Sequence, residues 1–231
     1  MLPSISKYKL YLYLFFFIFL SSIFNFRFLE NYQDMFSLKT INIDGISYKE
    51  KKKIEEELSK LKNINIFKIK EDKVLEKLNK FKFLESINVK KIIPSSININ
   101  LSKTSILGKT FINGEEFYIG KNGEFINHIQ IFEKYTTPTV FGEFELKEFL
   151  NLYDTLNNQM LEINKIEYYY YFKNRRWDLV FSNGLTLKLP SKNKRDSIKI
   201  YKKLLDNENL TNTKIIDLRV TDQIIMTNKN E

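Results

Sequence analysis

Cysteine is absent from this chain of 231 residues, histidine occurs once and glycine seven times. Each shortage removes a class of chemistry. Without a thiol there is no disulfide, no thiolate nucleophile and no zinc–thiolate centre. His128 is the lone imidazole and falls in a loop-like stretch, so histidine-rich zinc sites are excluded and a common catalytic triad is not expected. The few glycines form no phosphate-cradling loop. Glu115 and Glu116 read as an exposed turn, and Asp217 and Arg219, two apart on a strand, read as a local ion pair or a partner contact. The chain is therefore expected to be no enzyme and to hold no cofactor or metal.

Charge of one sign is not scarce: 37 Lys and Arg stand against 28 Asp and Glu, a net +9. The lysines are scattered among the acidic residues, which argues against a nucleic-acid interface. A modest, salt-sensitive attraction to anionic headgroups or wall polymers is compatible with the excess. Hydrophobic residues at 43% and aromatics at 15% are those of a chain with a real core.

One long hydrophobic run is present, at the N-terminus. After Lys7 and Lys9, residues 10–26 carry no charge and are mostly Leu, Phe, Tyr and Ile. As a helix they span about 25 Å, short but adequate for a bilayer. A cleaved signal peptide would show a shorter apolar stretch followed by small residues; here the run ends in Ile23-Phe24-Asn25-Phe26. We expect an uncleaved anchor over residues 10–28, with Leu10, Leu14, Phe17, Leu20 and Phe24 in the lipid. Residues 1–9 are then a short cytoplasmic tail, and the bulk lies across the membrane.

Residues 36–104 show a compact order of elements. Leu38 to Ile43 alternates apolar and polar as a strand, and Asp44-Gly45 makes a turn. Ser47 and Glu50 have the spacing of a capping box, and Ile54, Leu58 and Leu61 recur on one helix face. Val74, Leu75, Leu78 and Phe81 mark a second helix. Ile87 and Val89 alternate with polar residues, as do Ile97, Ile99 and Leu101, with Pro94 in the connection between these two strands. The order is β-α-α-β-β.

Residues 105–227 are expected to fold as a second unit. Asn122-Gly123 and Asn183-Gly184 sit between alternating strands, and Trp177, Leu179, Phe181, Leu185, Leu187 and Leu189 share one face of the second hairpin. Leu146, Phe149, Leu150 and Tyr153 lie on one helix, and Ile198, Tyr201, Leu204 and Leu205 on another. A final apolar strand runs from Lys214 to Ile225, and its end, Val220 to Thr227, is expected to be an open edge.

The motif Ile41-x-Ile43-x-Gly45, then Ile66-Phe67, then Val89-x-x-Ile92-x-Pro94-x-x-Ile97-x-Ile99 resembles a POTRA domain. A single copy behind one anchor, followed by Arg175-Arg176-Trp177 and by Ile216-Asp217-Leu218-Arg219 about 40 residues later, resembles the FtsQ/DivIB cell-division family. Gly120 departs from that pattern, as does Lys103-Thr104-Ser105-Ile106 after the last POTRA strand. The resemblance implies an α+β protein: a transmembrane helix, the POTRA domain, then a mixed α/β domain with an extended, mostly antiparallel sheet. It implies a non-catalytic scaffold of the divisome in the inner membrane at the septum, receiving the FtsB and FtsL proteins. Val220, Thr221, Gln223, Ile224, Ile225 and Met226 would form the receiving edge, with Arg219, Arg175 and Arg176 nearby. The alternative reading is a POTRA-bearing chaperone or outer-membrane assembly or secretion factor, which would normally bring tandem copies or a barrel.

Overall fold

The computed structural model describes residues 6–23, 34–207, 210–220 and 223–229. The first element, α1 (Lys7–Ile23), has 17 residues with its apolar side chains exposed on every side: Leu10, Leu14 and Leu20 are at least half exposed and Phe17 is 72% exposed. Among the described residues no helix is long and apolar enough to cross a membrane. Phe24 and the remainder of the expected anchor to residue 28 lie outside the described residues.

The following chain divides into two compact units, the first comprising residues up to 80 and 86–102 and the second 81–85 and 103–231. In the first, β1 (Thr40–Asp44), α2 (Tyr48–Leu58), α3 (Glu71–Leu78), β2 (Leu84–Ile92) and β3 (Ser96–Lys103) follow the expected order. The sheet order is β1-β3-β2, with β1 parallel to β3 from Thr40 opposite Ser96 to Asp44 opposite Asn100. Ile54, Leu58, Val74 and Leu78 from the helices and Ile43, Ile97 and Ile99 from the strands are buried. At the start of α2 the Ser47 N–H donates to Glu50 Oε2 at 3.0 Å, as the spacing predicts. Gly45 has φ +92°, and a Cβ there would lie 1.9 Å from the Leu101 carbonyl oxygen. The turn after β1 therefore tolerates no side chain.

Among the described residues the second unit is built on a nine-stranded sheet. Its strands are β4 (Ile106–Ile112), β5 (Glu115–Gly120), β6 (Phe125–Asn127), β7 (Thr139–Phe141), β8 (Ile166–Phe172), β9 (Arg176–Phe181), β10 (Thr186–Leu189), β11 (Thr213–Asp217) and β12 (Ile225–Asn228). Their order is β12-β11-β10-β9-β8-β7-β4-β5-β6. Helix α4 (Leu146–Asn158) connects β7 to its parallel neighbour β8, and α5 (Lys194–Asn207) connects β10 to its parallel neighbour β11. Parallel neighbours need such crossovers, which cover one sheet face. The ring of Phe149 of α4 packs tilted at 6.1 Å from Trp177, and that of Tyr201 of α5 at 5.7 Å from Phe181, both on the same side of β9. The six residues expected on the inner face of the β9–β10 hairpin are all buried, and Trp177 is 1% exposed.

Three expectations need correction. Leu205 is exposed, because it lies at the outer edge of the α5 stripe whose centre is Ile198 and Tyr201. The strand Ile106–Ile112 was not anticipated; its bulge, between Ile106 and Gly108, breaks the simple alternation that marks a strand. The last strand is two strands: β11 ends at Asp217 and β12 begins at Ile225, so Val220, Gln223 and Ile224 belong to the link between them. Thr221 lies outside the described residues.

Candidate functional site

Among the described residues the β12 strand is held on one side only. It runs antiparallel to β11, with Asp217 opposite Ile225, Ile216 opposite Met226 and Ile215 opposite Thr227, and it stands at the end of the sheet order. The Lys229 N–H donates to Asn212 O at 2.9 Å, so this residue points its backbone toward β11. Antiparallel strands alternate the side to which successive residues turn their N–H and C=O. Thr227 and Ile225 therefore share the orientation of Lys229. Met226 and Asn228 present their backbone groups to the open edge. Beside them Ile224, Ile225 and Met226 are 45%, 48% and 38% exposed, an apolar strip next to unclaimed backbone donors and acceptors.

A fork ends β11. The Leu218 N–H still donates to Lys188 O at 3.0 Å, but the next N–H, of Arg219, turns back to Asp217 Oδ1 at 3.0 Å. The Arg219 guanidinium closes the same carboxylate, with Nε 2.8 Å from Oδ1 and Nη2 bonded to Oδ2. Arg219 beside it holds the Asp217 carboxyl below its usual range, and the carboxylate in turn raises the Arg219 guanidinium. The expected local ion pair is thus present, and Arg219 is turned first toward its own strand.

Lys188 on β10 lies between Asp217 on β11 and Asp178 on β9 in register. Burial pushes the Asp178 carboxyl up, partly offset by Lys188 and Arg219. One mixed-charge row therefore crosses the outer face of the sheet and reaches the edge at Ile225.

Next to the fork is a cleft of about 630 Å³ whose lining includes Pro190, Ile200, Leu218, Val220 and Ile224, with Arg219 and Lys192 at its polar side. Pro190, Ile200 and Leu218 were not anticipated there, because α5 and the β11–β12 link meet only through the fold. Ser191 also lines a smaller cavity of about 260 Å³ that contains Arg175, Trp177 and Lys194. Burial lowers the Lys194 ammonium, against the pull of Glu148.

Arg175 and Arg176 are at the same end of the sheet as Arg219, since Trp177 pairs with Leu189 and Lys188 with Asp217. They stand two strands from β11, about 10 Å at ordinary strand spacing. Arg175 is in the left-handed region (φ 62°) and pairs with Glu148 at 3.5 Å. Arg176 donates to Asn174 Oδ1 at 2.9 Å, with its guanidinium over the Phe172 ring. The fold gathers the three arginines at one end, and each already has a partner within the chain. His128 begins a single 3₁₀ turn, exposed, with Nδ1 3.3 Å from Glu116 O. Among the described residues no group of three or more His, Cys, Asp or Glu side chains is placed to hold a metal.

The family model described as "Cell division protein FtsQ/DivIB, C-terminal" matches residues 111–219, and that described as "POTRA domain, FtsQ-type" matches 36–103. The chain belongs to the FtsQ/DivIB family. Cell division protein FtsQ of Rickettsia bellii is 28% identical over 187 residues, covering 80% of this chain and 69% of that one. The FtsQ protein of Rickettsia typhi is 28% identical over 193 residues, covering 80% and 70%. That of Rhizobium radiobacter is 23% identical over 154 residues, covering 66% and 73%. This is a family of cell-division proteins, and both of its domains are present in FtsQ/DivIB order. The C-terminal match stops at Arg219, so the link and β12 lie beyond it.

Proposed function

We propose that this chain is a single-pass, inner-membrane scaffold of the divisome, and that it works by accepting a strand from a partner at β12. The observation that carries this reading is the edge itself: among the described residues β12 has one neighbour, a backbone alternation that turns Met226 and Asn228 outward, and exposed apolar side chains at its start, Ile224, Ile225 and Met226. An added strand gains main-chain hydrogen bonds there and side-chain contacts in the adjoining cleft. The catalytic groups that an enzyme of this size would need are not anticipated from the sequence, so the protein acts through contacts alone.

Family membership supports FtsB- and FtsL-like bitopic proteins as the partners. Their exported segments would meet β12, with Arg219, Arg175 and Arg176 offering positive charge at the same end of the sheet. The anchor is the segment 10–28, which takes in α1 from Leu10 and an uncharged sequence as far as Phe26, with residues 1–9 in the cytoplasm. The POTRA domain (36–104) and the C-terminal domain (105–227) then lie in the periplasm, at the septum. A fluorescent fusion in the native host tests this reading. We expect a band at the division site that is retained with wild-type β12 and reduced by Met226→Pro; uniform fluorescence along the envelope with the wild-type chain would refute it.

A further inference from the structure

Three segments meet at one end of the first unit, the end where the chain arrives from α1. Leu38 N donates to Ile64 O at 2.9 Å and Ile66 N to Phe36 O at 2.8 Å, while Lys39 N donates to Ser95 O at 2.8 Å. The strand that enters β1, the loop before α3 and the β2–β3 turn are thereby stitched together. Their outer surface is apolar to an unusual degree for loops: Ile93 and Phe67 are each 60% exposed, Met35 43% and Ile64 39%. The Phe67 ring is braced on Phe36 at 5.3 Å between centroids and so stands out from the loop in a fixed place.

The same segments carry exposed lysines, Lys39 where the chain enters β1, Lys62 and Lys68 in the loop before α3, and Lys91 near the end of β2. Asp34, and Glu71 and Asp72 at the start of α3, are the acidic side chains next along the same segments. Exposed apolar side chains and ammonium groups on the same joined segments match a bilayer surface, where the first enter the headgroup boundary and the second meet lipid phosphates. Chain length supplies the proximity. Ten residues, 24–33, separate α1 from the described start of this unit, and at full extension they reach at most about 35 Å. If α1 is anchored in lipid, the distance is within reach of the surface throughout.

We propose that this end of the POTRA unit rests on the membrane, with Ile93 and Phe67 in the headgroup region and Lys39, Lys62, Lys68 and Lys91 against anionic phospholipid. The inference rests on the anchor reading above. A contact of this kind would orient the unit about the membrane normal, so that α1 and the loop end act as two points of attachment.

The absence of cysteine makes the test direct. The full chain carrying a single bimane label at Ile93→Cys, Tyr48→Cys or Phe17→Cys is reconstituted in phosphatidylcholine vesicles with and without phosphatidylglycerol. Quenching by a nitroxide lipid and by aqueous iodide is then compared. Tyr48, 81% exposed beyond the opposite end of β1, is the water-facing reference. We expect the label at 93 to lose intensity to the lipid nitroxide and resist iodide in phosphatidylglycerol vesicles. That contact should be lost at about 1 M salt, where the Debye length falls to about 3 Å, and in Lys39→Glu/Lys91→Glu. Iodide access at 93 equal to that at 48, with the label at 17 quenched by lipid, overturns the surface contact and leaves the anchor standing. Lipid quenching at 93 that is the same with and without phosphatidylglycerol overturns the anionic-lipid assignment. A label at 17 untouched by lipid removes the anchor and this inference together.

Discussion

Arg219 holds the Asp217 carboxylate twice over, with its side-chain Nε 2.8 Å from Oδ1 and its backbone N–H 3.0 Å from the same oxygen. The Leu218 N–H makes the last bond from this segment to β10, and the next N–H, on the side of β12, is taken by the Asp217 carboxylate, so β11 ends at Asp217. That termination directs the chain into the link and back as β12. The ion pair thus shapes the edge at which a partner is proposed to bind.

Removing the fork should therefore weaken the second unit and loosen its edge. For a pair that is partly solvated on the arginine side, Arg219→Ala is expected to cost about 1–2 kcal/mol. The check is a denaturant midpoint read from Trp177 fluorescence, together with faster amide exchange at β12.

The same pair sets an acid response. The folded Asp217 carboxyl titrates below its unfolded value, because Arg219 binds its charged form. Its contribution is fully present above the ordinary carboxylate pKa and is lost as pH falls through the depressed folded value. Urea midpoints measured down the acid range should fall more steeply for wild type than for Asp217→Asn, the two curves converging at the lowest pH.

Asp178 should behave in the opposite sense. Burial raises its carboxyl, and its Oδ1 has no hydrogen-bond partner among the described residues. Above the unfolded carboxylate pKa this group opposes folding, so Asp178→Asn is expected to raise the midpoint at neutral pH. The gain should disappear as both states become protonated. A constant gain across that range would assign the effect to packing instead of charge.

Trp177 is the lone tryptophan of the chain, and it packs against Phe149, Phe144 and Tyr171 in the core of the second unit. Phe149→Ala should cost about 3–5 kcal/mol and shift the Trp177 emission transition. Gly45→Ala is aimed at the other unit: with φ +92° and a carbonyl 1.9 Å from the new Cβ, it should destabilise by more than about 1 kcal/mol. Amide exchange should show the first unit opening in that variant while the Trp177 transition keeps its wild-type midpoint.

Much of this architecture was legible because strands with one buried face write it out residue by residue. Trp177 and Leu179 flank Asp178, Leu187 and Leu189 flank Lys188, and all four apolar residues are buried, as is Phe181. Ser47, Glu50 and Gly45 marked the turn and helix start by local chemistry alone. Bulges and breaks were harder to read. The shift at Ile106/Gly108 hid β4, and the β-branched and apolar residues spread through 214–226 hid a break that depends on a side chain, Asp217, capturing a backbone N–H. The cleft beside Arg219 was illegible for a different reason. Pro190, Ile200 and Leu218 are separated in sequence and meet only when α5 carries the chain from β10 over to β11.

The most direct test of the central claim is hydrogen exchange at the Met226 and Asn228 amides in the full chain, with and without the exported segment of a co-encoded FtsB-like protein. Both amides face the open edge and should exchange rapidly in the free protein, whereas Thr227, turned toward β11, should already be protected. Strand addition predicts new protection at Met226 and Asn228 on mixing, abolished by Met226→Pro while the Trp177 transition stays at its wild-type midpoint. Binding that leaves these two amides as exposed as before would contradict the account and place the interface elsewhere on the molecule.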